Sequence, residues 1–316
     1  GRRACRQVDS STQGPVGHWL SQPVASMRLP PFEMHKPDSL EEAIGLLEGL
    51  GDSAALYCGG TELLLVMRMG LTDLDHLVDL KGLDGLRSIT LVDGMLRIGA
   101  AVTHREIENH PLVTEHAPEL ASMIGRIANV RVRSVGTLGG NLAFADPASD
   151  PATFLTAVNA QVGIRGPSGC RRTLSVEDLS ISAYQTALED GEVIEAVLVQ
   201  PTEHGVATVH ERLKFQERPA IVVTVSTRAS GGSISESRIA VGAVSPTPTR
   251  FRDAETLLHG VETHEVMEAA TRVGDAIAET VELLDDDTSG VAYKRQLTRV
   301  LVARTATRAM DLSLTI

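Results

Sequence analysis

Residues 136–150 read GTLGGNLAFADPASD, and the rest of the chain is best read outward from them. Adjacent Gly139 and Gly140 can bring successive backbone N–H groups around an anion with no Cβ in the way. Thr137 adds a hydroxyl donor to the same place, and Asn141 follows directly. Beyond a short apolar run comes Asp146-Pro147-Ala148-Ser149-Asp150. A carboxylate and a hydroxyl beside an anion-binding turn can bond sugar or polyol hydroxyls. The same residues also fit an Asx turn capping a helix from Ala152, and both roles can fall on Asp150.

A partner for this turn lies about 77 residues upstream, at Cys58-Gly59-Gly60-Thr61-Glu62. It follows AALYC (54–58), an apolar run suited to a buried strand, and precedes the apolar helical run LLLVMRM, which Gly70 stops. Strand, glycine turn and helix together present bare N–H groups to an anion. Neither turn is a P-loop, because GxxxxGK[ST] is absent, and neither carries GxGxxG. Taken singly, each Gly-Gly pair also fits an ordinary tight turn.

Around these turns, strands and helices alternate. DSLEEAIGLLEGL (38–50) starts with a cap signal and repeats Leu40, Ala43, Ile44 and Leu47 at helical spacing. HLVD (76–79) reads as a strand, and RSITLVDGMLRIG (87–99) as a hairpin about Asp93-Gly94. Thr103 with Glu106 forms a capping box ahead of a third amphipathic helix, Pro118–Ile127. Ala152–Val158 is helical, 160–176 is a hairpin around GPSG, and Glu192–Val199 is a strand. From 206 the pattern changes to three alternating, β-branched runs, the last two separated by Ser-Gly-Gly. SPTPTR (245–250) is a proline-stiffened connection to helices at about 253–259, 263–279 and 291–311. The expected organisation is an α+β domain over 27–203, in two lobes of about 27–83 and 84–203, then a smaller α+β domain over 204–316. GRRACRQVDSSTQGPVGHWLSQPVAS (1–26) carries no helix or strand period and is expected to be a leader or extension outside the fold.

Composition narrows the partners. A net charge of −12 argues against nucleic acid, which favours a cationic face. No apolar run approaches the roughly 20 residues needed to span a bilayer. Cys5, Cys58 and Cys170 form no CxxC pair, which argues against a disulfide framework, a zinc site or an iron–sulfur cluster. Cytoplasmic placement fits best. His35, His76, His104, His110 and His116 show no metal-ligand spacing, so surface or capping roles are expected. No general acid/base pair is evident either, and no catalytic residue is assigned.

The pattern from Leu56 to Leu65 together with GTLGGNLAFADPASDP resembles the FAD-binding (medium) subunits of the molybdenum hydroxylases, as in carbon monoxide dehydrogenase and the FAD domain of xanthine dehydrogenase. DGEVIEAVLVQP (190–201), ERLKFQERPA (211–220), VGAVSPTPTRFRDAETLLHG (241–260) and YKRQLTRVLVARTA (293–306) extend the resemblance from about Pro30 to Arg308. It implies a two-part FAD-binding domain of the vanillyl-alcohol-oxidase type, followed by a small α+β domain. It also implies that Leu56, Cys58, Gly59, Gly60, Thr61 and Glu62 wrap the pyrophosphate of a non-covalent FAD, with Thr137, Gly139, Gly140 and Asn141 opposite. Ser149 and Asp150, and more weakly Asp146, would hold the adenosine end or the ribityl chain. Lys214 would stand close to the isoalloxazine, where a cation steadies a reduced, anionic flavin; read from the residues alone, it is equally a solvated strand lysine.

The chain departs from the family in places. Cys58 replaces the usual Ala or Gly. Ile127 stands where the xanthine dehydrogenase type has an aromatic ring, which leaves Tyr184 as a candidate for ring stacking. There is no cysteine-bearing insertion for an extra cluster and no flavin-linking histidine. Implied partners are a molybdenum-cofactor large subunit, a [2Fe–2S] small subunit and an electron acceptor such as NAD, a quinone or oxygen. Two rival readings are a stand-alone FAD oxidase or dehydrogenase with its own organic substrate, and an assembly module that has lost the cofactor.

Overall fold

A computed structural model describes residues 28–215, 218–284 and 290–316; the leader or extension expected at 1–26 lies outside them. The chain first builds a small parallel sheet from β1 (Glu33–His35), β2 (Ala54–Tyr57) and β3 (His76–Asp79), in the order β1-β3-β2. Between the first two strands runs α1 (Leu40–Leu50). The Ser39 side chain accepts from the Glu42 N–H at its start, and Glu41 and Glu42 lie at the positive end of the helix dipole. Ala43 and Ile44 of α1 pack with Val78, Leu80 and Leu86 in one core. The short helix α2 (Leu63–Arg68) follows the first glycine turn.

The second lobe opens with the hairpin of β4 (Ile89–Val92) and β5 (Met95–Gly99). Its turn residues Asp93 and Gly94 have φ of 51° and 76°, the positive pair that a two-residue hairpin needs. Then come α3 (His104–Asn109), with the Thr103–Glu106 capping box formed, α4 (Pro111–His116), α5 (Pro118–Ile124), α6 (Val130–Arg133), α7 (Leu138–Phe144) and α8 (Asp150–Ala157). The lobe finishes with β6 (Gln161–Arg165), β7 (Arg171–Ser175), α9 (Val176–Leu179), the small pair β8 (Ser180–Ser182) and β9 (Gln185–Thr186), and β10 (Val193–Val199). The last strand enters the middle of an antiparallel sheet ordered β4-β5-β10-β6-β7. Leu96, Ile98, Leu120, Ile124, Leu142, Leu155, Val162 and Val197 fill its core.

The C-terminal part is an antiparallel sheet of β11 (Val206–Phe215), β12 (Arg218–Ser230), β13 (Ser233–Gly242) and the short β14 (Thr249–Arg250). It carries α10 (Arg252–Glu255), α11 (Val266–Thr280) and the long α12 (Val291–Thr315), which lies across β11 and β12. The three expected β-branched runs are these first three strands. β14 is an addition, formed where the proline-stiffened connection was expected to stay irregular.

Two differences from the sequence expectation bear on the site. The glycines of GTLGGN predict a turn, but Thr137 is the N-cap of α7 and Leu138 to Phe144 are helical. Two adjacent glycines lower helix propensity, so the sequence argued for a turn; packing against β10 and α8 overrides it. The helix expected from Ala152 starts at Asp150, and all eight of its residues are buried. It lies between the core of the second lobe and strands β12 and β13, at the junction between the two parts.

Candidate functional site

A cavity of about 320 Å³ opens between the two glycine segments, within the range ligand sites occupy. Leu56, Cys58, Gly59, Gly60, Thr61 and Glu62 line one side of it, and Thr137, Gly139, Gly140 and Asn141 the other. Among the residues that close the rest are His104, Val132, Phe144 and Ile194.

The two glycine segments are in direct backbone contact. A Cβ on Gly59 would lie 2.3 Å from the Val135 carbonyl oxygen and 2.7 Å from Gly136 Cα. Gly60 has φ +64°, and a Cβ there would meet the Tyr57 ring at 2.5 Å. These glycines are therefore required by chain packing before any ligand is considered.

The amides of the two segments differ. In α7 the first-turn donors are already used: Leu138 N–H donates to Val102 O (3.1 Å), Gly139 N–H to Ala100 O (2.9 Å) and Gly140 N–H to the Thr137 hydroxyl (3.2 Å). His104 N–H donates back to Gly136 O at 2.9 Å, which zips this segment to the residues after β5. From Gly59 to Leu63, by contrast, no N–H finds an acceptor among the described residues. Five consecutive donors without an acceptor among the described residues, at a strand–helix junction, are a feature that can bind an anion. The second segment supplies the wall rather than the donors.

Electrostatics sharpen the division. Burial first, and the Asp79 carboxylate second, push the Cys58 thiol up to about 11, so it is a neutral packing group. Glu62 has a raised pKa, through burial and then the nearby Asp146 carboxylate, with Arg218 opposing. His104 is 3% exposed, and its Nδ1 has no hydrogen-bond partner. Burial, then the Arg133 guanidinium, press this imidazole down to about 4. A neutral ring in a cavity wall is an unspent polar group.

The remaining expected site residues are elsewhere. Ser149 does not line the cavity; it is the N-cap of α8, and its hydroxyl donates to Asn141 Oδ1 at 2.6 Å. It therefore orients Asn141 from behind. The Asp150 carboxylate is buried, 3.3 Å from His210 Nε2 and paired with the Arg212 guanidinium. Asp146 accepts from Ala148 N–H at 2.9 Å and from Arg218 at 2.5 Å. Lys214 is exposed on β11 and is outside the cavity lining. Ile127 does line the cavity, while Tyr184 reaches it only indirectly, edge-on to Phe144 with ring centroids 5.3 Å apart.

Residues 30–201 match the model of the FAD binding domain in molybdopterin dehydrogenase, and 216–309 that of the CO dehydrogenase flavoprotein C-terminal domain. The chain belongs to this family. It is 33% identical over 278 residues to the carbon monoxide dehydrogenase medium chain of Hydrogenophaga pseudoflava, covering 87% of this chain and 96% of that one. Its identity to the nicotine 6-hydroxylase medium subunit of Paenarthrobacter nicotinovorans is 34% over 286 residues, with coverages of 90% and 99%. Among solved structures, the Hydrogenophaga pseudoflava carbon monoxide dehydrogenase superposes with a TM-score of 0.86 at 32% identity, over 90% of this chain and 99% of that chain. Quinoline 2-oxidoreductase from Pseudomonas putida 86 gives 0.82 at 26%, over 91% and 99%.

As a flavoprotein of the molybdenum hydroxylase type, the chain takes FAD as its cofactor. The free N–H run, the glycine-lined walls and the unpartnered His104 nitrogen are a fitting donor set for a flavin with an anionic pyrophosphate. No helix among the described residues is long and apolar enough to cross a membrane.

Proposed function

We propose that this chain holds FAD with its pyrophosphate on the Gly59–Leu63 amides and the Thr61 hydroxyl, and passes electrons from [2Fe–2S] clusters of a partner subunit to an external acceptor. The observation that carries the binding mode is the run of five free amides facing a segment whose own first-turn amides are spent. Bound FAD supplies the chemistry of the step, since it can take up single electrons and release them singly or as a pair. The protein's residues bind and orient. Thr137, Gly139, Gly140 and Asn141 form the facing wall, Ser149 fixes Asn141, and Leu56, Val132, Ile194 and Phe144 keep water from the enclosed face. Asp146, Arg218 and Glu62 form a polar rim at one edge. Oxidation of the organic substrate is assigned to a molybdenum-bearing large subunit, in keeping with the multi-subunit character of the relatives.

The test has two arms. The purified chain should be yellow and release FAD, not FMN, on denaturation. Mixed with its reduced cluster-bearing partner it should bleach at 450 nm, whereas small organic substrates added to the chain alone should leave the flavin oxidised. Bleaching by such a substrate without a partner would replace this reading with that of a stand-alone oxidase.

A further inference from the structure

We propose that Glu33, His35 and His76 form a binding site for a divalent transition metal of the zinc class, at the end of the small parallel sheet away from the flavin cavity. The register of β1 with β3 builds it: Glu33 pairs with His76, and His35 with Val78. Glu33 and His35, two residues apart on one strand, share a face, and His76 stands beside them on the next strand. His35 Nε2 lies 3.0 Å from His76 Nδ1, and His76 Nδ1 lies 3.6 Å from a Glu33 carboxylate oxygen. One ligand atom from each of the three falls within 4.8 Å of the others. Two nitrogens on one tetrahedral zinc, at bonds of about 2.0–2.1 Å, stand roughly 3.4 Å apart. Chelation needs a few tenths of an ångström of separation, a turn of both rings toward one point, and transfer of the proton between them to the other nitrogen of its own imidazole, which neutral histidine allows.

The donor set selects the metal. Two imidazoles and one carboxylate suit zinc, cobalt, nickel or copper, and lack the oxygen ligands that magnesium or calcium demands. The Glu33 side chain is 69% exposed and that of His76 24%, so the site faces solvent and leaves room for a water ligand. It is separate from the cofactor site: the cavity takes Leu56 from the far end of β2, Cys58 just past it, and Leu80 just past β3. Along β3 that is four residues from His76, about 13 Å at strand spacing. The two histidines are 41 residues apart in sequence, so no local ligand motif announces them.

Such a metal would tie a three-residue edge strand to the sheet beside it. The experiment uses the full, tag-free, FAD-loaded chain, stripped by a chelator and then dialysed against buffered zinc. Wild type should retain one zinc per chain and melt at a higher temperature with zinc than without. His35→Asn and His76→Gln should each bind zinc at least roughly tenfold more weakly, since losing even an outer partner of a metal ligand can cost that much. Their FAD content should stay at the wild-type level, which separates loss of the metal from loss of the fold. Zinc binding of equal strength in wild type and both variants would overturn the proposal, as would wild type that retains no zinc at micromolar free metal.

Discussion

The Asp150 carboxylate and the His210 imidazole, 60 residues apart in sequence, meet 3.3 Å apart in a buried junction. His210 Nδ1 is in turn 2.8 Å from the Thr224 hydroxyl, and Arg212 pairs with the same carboxylate. The pair ties the buried helix α8 to β11 and β12, and so joins the FAD-binding domain to the C-terminal sheet.

Asp150→Ala should therefore act on stability rather than on the cofactor. Removing one partner of a buried, hydrogen-bonded pair leaves the others uncompensated, at a cost of about 3–5 kcal/mol. The urea midpoint should fall sharply, while FAD per folded chain stays near one. FAD loss with an unchanged midpoint would instead put Asp150 on the cofactor, as the family resemblance implied.

Gly59 and Gly140 should behave differently when a side chain is added. A Cβ at Gly59 strikes the backbone of Val135 and Gly136, which cannot move without parting the two glycine segments. Gly59→Ala should cost about 1–3 kcal/mol and also lose FAD. Gly140 is exposed to the cavity, and a Cβ there would meet the Thr137 hydroxyl at 2.9 Å. Gly140→Leu should block FAD retention with a smaller change in melting temperature, read by flavin absorbance and thermal unfolding on the same samples.

These contrasts show how far the sequence could be read. AALYC with its glycines, HLVD and the Asp93-Gly94 hairpin are local signals, and they form as expected because strand alternation and turn chemistry act over a few residues. The cap on α8 was legible in Asp146-Pro147-Ala148-Ser149-Asp150, and Ser149 supplies it; the pairing of Asp150 with His210 and Arg212 was not, because it depends on residues 60 or more positions away. His104 was hidden for the same reason. It sits inside the Thr103–Glu106 capping box, as many surface residues do, while Gly136 returns to its N–H and packs beside the ring. The division of labour between the two glycine segments rests on the carbonyls of Ala100 and Val102 meeting α7, which no motif records.

Cys58 should be chemically quiet despite lying in the cavity wall. With its thiol pushed up to about 11, almost no thiolate is present near neutral pH. Iodoacetamide at pH 7.5 should label exposed Cys170 and spare Cys58, as read by peptide mass analysis. Cys58→Ala should keep FAD bound, because the side chain serves as a small packing group. Rapid labelling of Cys58 in the native, FAD-loaded chain would contradict this.

Acid sensitivity should trace to His104. Its folded value of about 4 lies below the ordinary 6.5, so the unfolded chain takes up a proton more readily than the folded one. Stability is then complete above about pH 6.5 and is lost as pH falls toward 4. The gap corresponds to on the order of 3 kcal/mol at its full extent. His210 is also lowered, chiefly by burial, and adds with the same sign. Glu106 and Glu192, held low, lose their contribution only below the carboxylate range near 4.5, while Glu62, held high, gains stability as pH falls and opposes the histidines, so the net fall from pH 6.5 to 5 is the histidine contribution less that of Glu62. Urea midpoints of the flavin-free chain should fall across that interval. His104→Phe should flatten the slope, leaving the smaller part due to His210. An unchanged slope in that variant would mean that His104 is charged, or free to reach water, in the folded chain.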